Sequence, residues 1–198
     1  TKDIAKLFET KVFNYPKPIS LLKYLIKMAT NHEDECIVVD FFSGSGSSSQ
    51  AVIELNSEVD NLAKRKFISI QLPESLDKKN VSQKTAFEFL ESNNLPTTLD
   101  YIGIERIKRA AKKIKEETKA EIDYGFKHFI LNEPNPNTLD KCETFDKVNL
   151  IGDGSILEDF GVDTVLTTWL NYDGYGLTTK ATEVDLKGYT GYYPQKHL

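Results

Sequence analysis

The feature that most restricts the fold is a glycine-rich turn between a predicted strand and a predicted helix. Residues 36–42 form an apolar, β-branched run, which predicts a strand buried on both faces. A turn containing Gly44 and Gly46 follows, and the amphipathic segment 50–56 predicts a helix directly after it. Turns of this kind bind nucleotide-like ligands, because glycine permits close approach and the helix N-terminus offers free N–H groups.

Strand and helix patterns alternate along the first two thirds of the chain. A helix is predicted over 18–31, ahead of the glycine turn. Later segments predict strands over 65–72, 101–104 and 126–131 and helices over 82–93 and 105–118. This alternation predicts an α/β domain with a mainly parallel sheet of about four strands.

The composition changes near residue 132. Residues 1–131 carry 20 basic and 19 acidic side chains, whereas residues 132–198 carry 5 basic and 11 acidic ones. Turn-forming residues at 132–137 include two prolines, which cannot continue a helix or a central strand. We therefore divide the chain into a domain at 1–131 and an acidic, irregular or β-rich extension at 132–198. Its clearest predicted strand is 164–170, and the glycine turns after it predict antiparallel strands or extended arms.

Composition and charge exclude several classes of protein. The net charge of −5 disfavours a stand-alone nucleic-acid binder, because phosphate binding needs clustered Lys and Arg. No apolar run approaches the roughly 20 residues that cross a bilayer, and no secretory signal is recognisable, so no membrane association is expected. Cys36 and Cys142 are too far apart for a metal motif or a disulfide framework, which favours a reducing cytoplasm. The three histidines share no metal-ligand spacing, so no metal is expected.

Three motifs in order point to a known family. The sequence Asp40-Phe41-Phe42-Ser43-Gly44-Ser45-Gly46-Ser47 resembles the S-adenosylmethionine motif of amino-methylating DNA methyltransferases. Upstream, residues 13–18 resemble the Lys-Pro motif that precedes this loop in the circularly permuted members, and residues 65–74 complete the pattern. Together they resemble the modification subunit of type III restriction–modification systems, most strongly over 1–131.

The resemblance implies a partial Rossmann-like, S-adenosylmethionine-dependent methyltransferase domain, with adenine favoured as the methylated base. It implies a Lys-Pro pair near the methionine end of the cofactor, a loop around its methionine and sugar parts, an aspartate that orients the loop, and a glutamine near the ribose. The cofactor-binding residues so predicted are Lys17, Pro18, Asp40, Phe41, Phe42, Ser43, Gly44, Gly46, Ser47 and Gln71.

The sequence departs from the family pattern in two places. Many relatives hold the ribose with an acidic residue at the end of the second strand, where this chain has Gln71, with Glu74 three residues on. Residues 101–105 resemble the family's acidic ribose-binding motif, but they lie one βα unit later in the chain than that motif should. We therefore expect Glu105 to be an acid near a helix N-terminus. The Asp/Asn/Ser-Pro-Pro-aromatic catalytic motif is missing, since no two of the seven prolines are adjacent. We therefore assign no catalytic residue and expect the C-terminal portion of a longer enzyme, starting after its recognition region.

For the whole enzyme, the resemblance implies DNA as substrate and a restriction subunit as partner, and it is compatible with a homodimer. Two alternatives stay open. One is a non-catalytic binding or assembly module derived from such a methyltransferase, for which the serines at 47–49 and Gln71 leave room. The other is a fragment of a permuted amino-methyltransferase from outside type III systems.

Two further groups of side chains have less specific interpretations. A basic stretch on the helix at 105–118 is expected to be a solvated surface, with DNA-phosphate contact as the less favoured interpretation; it comprises Arg106, Lys108, Arg109, Lys112, Lys113 and Lys115. In the extension, a core position and an interface patch fit Trp169, Tyr172 and Tyr175 equally. Local packing is expected of Tyr189, Tyr192 and Tyr193, with contact to another subunit as the less favoured interpretation.

Overall fold

A computed structural model describes residues 2–30, 35–58, 64–131, 157–158 and 160–195 of the chain. The chain divides into two compact units, Thr1–Gly125 and Phe126–Leu198. Within the described ranges, no helix is both long enough and apolar enough to cross a membrane.

The first unit is built around a βαβ arrangement. Its elements are α1 (Lys2–Phe8), α2 (Ile19–Ala29), β1 (Cys36–Asp40), α3 (Ser47–Asn56), β2 (Arg65–Ser69), α4 (Lys84–Ser92) and α5 (Leu99–Thr118). Strands β1 and β2 are parallel, with Cys36 opposite Arg65 and Asp40 opposite Ser69. Helix α3 is the crossover that a parallel pair requires. The mixed helix–strand architecture with a small parallel sheet is confirmed, but the described part of this sheet has two strands and not the four predicted.

The sheet is covered by helices on one face. Val38 of β1 and Phe67 of β2 pack against a core contributed by α2 and α3. On the other face, Ile37, Val39 and Ile68 are 59%, 44% and 48% exposed. The prediction that β1 is buried on both faces is therefore wrong for this structure, because helices among the described residues cover only one side of it.

Helix α5 packs against α1 and α4 around a second core, which includes Phe8, Leu90 and Ile102. The buried stripe of α5 begins at Ile102 and recurs every three or four residues as far as Ile114. The predicted strand over 101–104 is consequently wrong, because these residues form the start of that stripe. Glu105 lies beyond the first turn of α5, so the helix N-terminal position predicted for it is also wrong.

The second unit contains α6 (Val162–Tyr172), β3 (Ala181–Asp185) and β4 (Thr190–Pro194). Strands β3 and β4 pair antiparallel, which is the first of the two alternatives predicted from the glycine turns. The predicted strand over 164–170 is wrong, because its apolar residues follow helical spacing: Val162, Val165, Leu166, Trp169 and Leu170. Residues 126–131 are neither helix nor strand, so that predicted strand is wrong too. The turn-forming run at 132–137 lies outside the described residues.

Candidate functional site

The loop between β1 and α3, residues 41–46, is called the glycine loop below. The Ser43 N–H donates to Ile70 O at 3.1 Å, and the Gly46 N–H donates back to Ser43 O at 2.8 Å, which closes the turn. Gly44 and Gly46 have φ values of 51° and 71°, in the left-handed region that glycine enters at little cost. Gly46 is also the N-cap residue of α3, so the loop leads directly into the positive end of that helix.

Asp40 ends β1 and holds the start of the loop and of α3. Its Oδ1 accepts the Phe42 N–H at 3.2 Å, and its Oδ2 accepts the Ser48 hydroxyl at 2.6 Å. Hydrogen bonds to an ionised carboxylate are stronger than neutral ones. Asp40 therefore fixes the angle at which the chain leaves the sheet.

Gln71, two residues after the end of β2, supports the loop. Its Oε1 accepts the Gly44 N–H at 2.7 Å, and its Nε2 donates to Leu72 O at 3.2 Å. Both ends of the carboxamide thus bind backbone groups of the protein. An amide suits this position, because it can accept from one backbone group and donate to another.

The three serines that begin α3 are buried and hydrogen-bonded. Ser47 accepts a hydrogen bond at 2.7 Å from Arg106, Ser48 donates to Asp40, and Ser49 shares a 2.7 Å hydrogen bond with Ser69 of β2. Their exposed fractions are 5%, 8% and 0%. The serine run therefore anchors the start of α3 to both the sheet and α5.

Arg106 is a supporting residue that sequence reasoning missed. The predicted solvated basic surface is wrong for this side chain, which is 1% exposed and points its guanidinium toward the loop. Its Nη1 donates to Ser45 Oγ at 2.9 Å, and its Nε donates to Gln50 Oε1 at 2.7 Å. The sequence did carry one sign that Arg106 is buried. Arg106 lies four residues after the apolar Ile102, which places both on the same buried face of α5.

Other members of the basic stretch differ from Arg106. The Arg109 guanidinium lies beside a pair of contacting aromatic rings, 5.2 Å from the centroid of Phe8 and 5.0 Å from that of Phe89. The four lysines are exposed, as expected of a solvated surface, and they are Lys108, Lys112, Lys113 and Lys115.

In the Lys-Pro segment, residues 13–18, Phe13 is the residue that lies beside the glycine loop. A methyl group added to Gly44 would lie 3.5 Å from Phe13 Cζ, so this ring lies beside the loop. Lys17 is exposed, and Pro18 is the exposed N-cap residue of α2.

Phe41 and Phe42 are 65% and 80% exposed, although their rings are large and apolar. Two adjacent exposed aromatic rings beside a firmly held turn form an apolar surface suited to a flat, aromatic part of a ligand. The predicted site residues in β1, the glycine loop, α3 and Gln71 are thus joined by hydrogen bonds or chain continuity.

A separate groove of about 750 Å³ lies near the C-terminal half of α3 and contains none of the predicted cofactor residues. Lys23 Nζ there lies 2.9 Å from Glu58 Oε1, and Lys27 Nζ lies 2.8 Å from Glu58 Oε2. Burial alone would raise the pKa of Glu58, but the hydrogen bonds from Lys27 and Lys23 outweigh it and hold that pKa below its ordinary value. These contacts join α2 to the end of α3.

Among the residues that the structure describes, no group of His, Cys, Asp and Glu side chains is arranged to hold a metal ion. His128 is described, whereas His32 and His197 lie outside the described residues. In the second unit, Trp169 is 50% exposed and Tyr172 is 89% exposed, so neither is a buried core residue.

Comparison with known proteins gives two family matches. A family model described as DNA methylase matches residues 1–116. A second, described as the type III R-M EcoP15I C-terminal domain, matches residues 160–198. The first match covers more than half of the chain, including the glycine loop, Gln71 and most of α5.

Individual relatives agree with these matches. The chain is 32% identical to the type III restriction-modification enzyme StyLTI Mod subunit of Salmonella typhimurium over 97% of its length. It is 34% identical to the EcoP15I Mod subunit of Escherichia coli over 96%, and 30% identical to the EcoPI Mod subunit of Escherichia phage P1 over 98%. It spans only 32%, 26% and 28% of these relatives' own lengths.

Proposed function

Because the chain belongs to the DNA methylase family and is homologous to the Mod subunits of type III restriction–modification enzymes, we propose that it is the cofactor-binding part of a DNA amino-methyltransferase. The family resemblance recognised from the motifs is confirmed by these matches. In the proposed whole enzyme, the segment binds S-adenosylmethionine for methylation of DNA, with adenine as the favoured base.

The observation that carries this proposal is the construction of the glycine loop. Asp40, Gln71 and the start of α3 hold its backbone, while Phe41 and Phe42 leave their rings exposed beside it. The adenosine part of the cofactor needs an apolar, aromatic surface, and the exposed rings beside a firmly held turn supply one. A Cβ at position 44 would lie beside Phe13, and one at position 46 would lie against Gly103 of α5, so the two glycines let the loop pack closely on the protein. The exposed rings of Phe41 and Phe42 remain open to a ligand, and in this respect the residues present fit the cofactor.

Each part of the predicted set has a role in this proposal. The glycine loop and Ser47 surround the methionine and sugar parts, and Lys17 and Pro18 lie toward the methionine end. Gln71 is close to the ribose while it holds Gly44 in place. Asp40 orients the loop and does not itself need to touch the ligand. The bound cofactor supplies a methyl group activated by its sulfonium.

The exposed face of the sheet supports a larger Rossmann-like domain. Ile37, Val39, Ile68 and Ile70 place a contiguous set of apolar side chains on the uncovered side of β1 and β2. Parallel sheets in α/β proteins are covered on both faces. We propose that further strands and helices of the whole enzyme extend this sheet and cover that face, and that the catalytic Pro-Pro-aromatic motif lies in that further part.

Partners and location follow from the same membership. DNA is proposed as the substrate of the whole enzyme, a restriction subunit as its partner and the cytoplasm as its location. The chain alone is expected to transfer no methyl group to DNA, because no residue in it is assigned to hold the target amino nitrogen. One argument for a non-catalytic module was the run of serines at 47–49. This argument is weakened, because each of these buried serines makes a hydrogen bond that holds the loop or the start of α3.

The proposal is tested by replacing Gly44 and Gly46 with Val in a full-length enzyme that contains this segment. Both residues have positive φ, and β-branched side chains are strongly disfavoured there. Cofactor binding measured by calorimetry should be abolished. Gly174→Val is the matched control, because Gly174 also has positive φ but nothing lies within 4 Å of an added Cβ. Unchanged affinity in the double variant would refute the assignment.

A further inference from the structure

One face of α5 lies directly against the glycine loop. We propose that Gly103 and Arg106, called the α5 brace below, are positioning residues that hold the loop in its cofactor-binding conformation. This inference rests on the proposed function. Neither residue belongs to the predicted cofactor-binding set, and both act through the loop.

The first part of the α5 brace is contact between two backbones. A Cβ added to Gly103 would lie 3.0 Å from Gly44 O, and a Cβ added to Gly46 would lie 3.0 Å from Gly103 O. Glycine within a helix is less favourable than alanine, so its presence at 103 needs a packing reason. The close approach of the loop supplies that reason, since alanine at 103 would push the Gly44 carbonyl away.

The second part is the buried guanidinium of Arg106, three residues further along the same helix face. It donates to Ser45 Oγ in the loop at 2.9 Å, to Ser47 Oγ at the start of α3 at 2.7 Å and to Gln50 Oε1 one turn later at 2.7 Å. A longer contact of 3.5 Å reaches the Ser45 carbonyl. One planar group thus ties the loop to the helix that follows it. Lysine cannot reproduce this arrangement, because its ammonium is a single point donor.

The α5 brace should affect cofactor affinity more than a residue that only stabilises the fold. Gly44 and Gly46 adopt left-handed conformations, but glycine in a free loop samples many others. A ligand that must first order the loop binds more weakly than one that meets it already ordered. Loss of the brace should therefore increase the mobility of residues 43–46 and weaken cofactor binding together.

Arg106→Gln, Arg106→Lys and Gly103→Ala test this inference in the 198-residue chain. The matched control is Arg109→Gln, one turn along α5, because Arg109 contacts Phe8, Phe89 and the Leu7 carbonyl. Amide hydrogen exchange of Gly44 and Gly46 is measured without ligand and normalised to Leu55, a buried residue of α3. Affinity for S-adenosylmethionine is measured in parallel by titration.

Both Arg106 variants should increase normalised exchange at Gly44 and Gly46 and weaken S-adenosylmethionine binding by about tenfold, consistent with the loss of a charged hydrogen bond. Gly103→Ala should weaken binding with little loss of unfolding stability. Alanine stabilises the helix itself more than glycine does, and this offsets the crowding of the added Cβ against the Gly44 carbonyl. Arg109→Gln should lower stability without selective exchange at the loop. Since Arg106→Lys preserves the charge, its failure to restore loop protection would support the need for the planar fork.

The inference is overturned if the Arg106 variants change loop exchange and affinity no more than Arg109→Gln does. If the unaltered chain does not bind S-adenosylmethionine, the proposed function fails, but the exchange measurement still decides whether the α5 brace orders the loop. The two failures are therefore distinguishable.

Discussion

Replacing Gly46 with Ala tests the contact between the glycine loop and α5 quantitatively. The new Cβ would lie 3.0 Å from Gly103 O and 3.3 Å from Gly103 Cα, both rigid backbone atoms. Holding a non-glycine residue at φ 71° costs roughly 1–2 kcal/mol. Crowding a packed site adds about 1–3 kcal/mol. The free energy of unfolding of the first unit should therefore fall by about 2–5 kcal/mol, a large fraction of the roughly 5–15 kcal/mol typical of a domain.

The matched variant is Gly44→Ala, which shares the positive φ but meets only Phe13 Cζ at 3.5 Å, an ordinary contact. It should lose only the roughly 1–2 kcal/mol of the left-handed conformation. Urea denaturation followed by circular dichroism measures the difference in stability between the two variants. The midpoints of Gly46→Ala and Gly44→Ala should differ by about 1 M if m is about 2 kcal/mol/M. Fluorescence of Trp169, the single tryptophan, separately follows unfolding of the second unit. Equal losses in the two variants would refute the close contact between loop and helix.

Two further predictions concern charged groups that support the first unit. Asp40→Ala removes the acceptors of the Phe42 N–H and the Ser48 hydroxyl, and should lower the free energy of unfolding by about 2–3 kcal/mol in urea denaturation; a loss below about 0.5 kcal/mol would contradict that role. Glu58→Gln should cost less than about 1 kcal/mol near pH 7, because the Lys23 and Lys27 contacts are partly exposed. The folded-state pKa of Glu58 is lowered, so its contribution is present above the unfolded pKa of about 4.3 and is lost as pH falls through the folded value. The stability difference between the two proteins should therefore shrink below about pH 4, and a difference that grows there would contradict the assignment.

The glycine loop and the family could be predicted because their signal is local. A strand, two glycines and a helix follow one another within residues 36–56, and each can be recognised from the residue types and spacing of its own segment. The positions of α2 and α3 were predicted for the same reason. Local pattern also identified the antiparallel turns of β3 and β4 from glycines that adopt positive φ, such as Gly188.

The errors arose where short apolar runs fit two periods. Residues 101–104 look like a strand in isolation, and only the continuation of their spacing to Ile114 identifies a helix. In α6, β-branched residues favoured a strand, but the spacing of Val165 and Trp169 follows a helical stripe. Propensity is a weaker guide than the face that a segment buries.

The role of Arg106 depends on tertiary structure and could not be read from its neighbours in sequence. Its acceptors lie 56 to 61 residues earlier in the chain, on the glycine loop and α3. Among adjacent basic residues it resembled a surface charge, and only the fold brings polar partners to it. The same holds for Gln71, whose contact with Gly44 requires that β1 and β2 lie side by side.

The most direct test of the central claim is an NMR titration of the ¹⁵N-labelled chain with S-adenosylmethionine, with ATP as the control ligand. Amide signals of Phe42, Gly44 and Gly46 should shift progressively with S-adenosylmethionine and not with ATP, accompanied by that of Gln71. The method detects millimolar binding, which matters because further parts of the whole enzyme are proposed to complete the pocket. Shifts confined to the groove around Lys23, or no shifts at all, would contradict the claim that the glycine loop binds this cofactor.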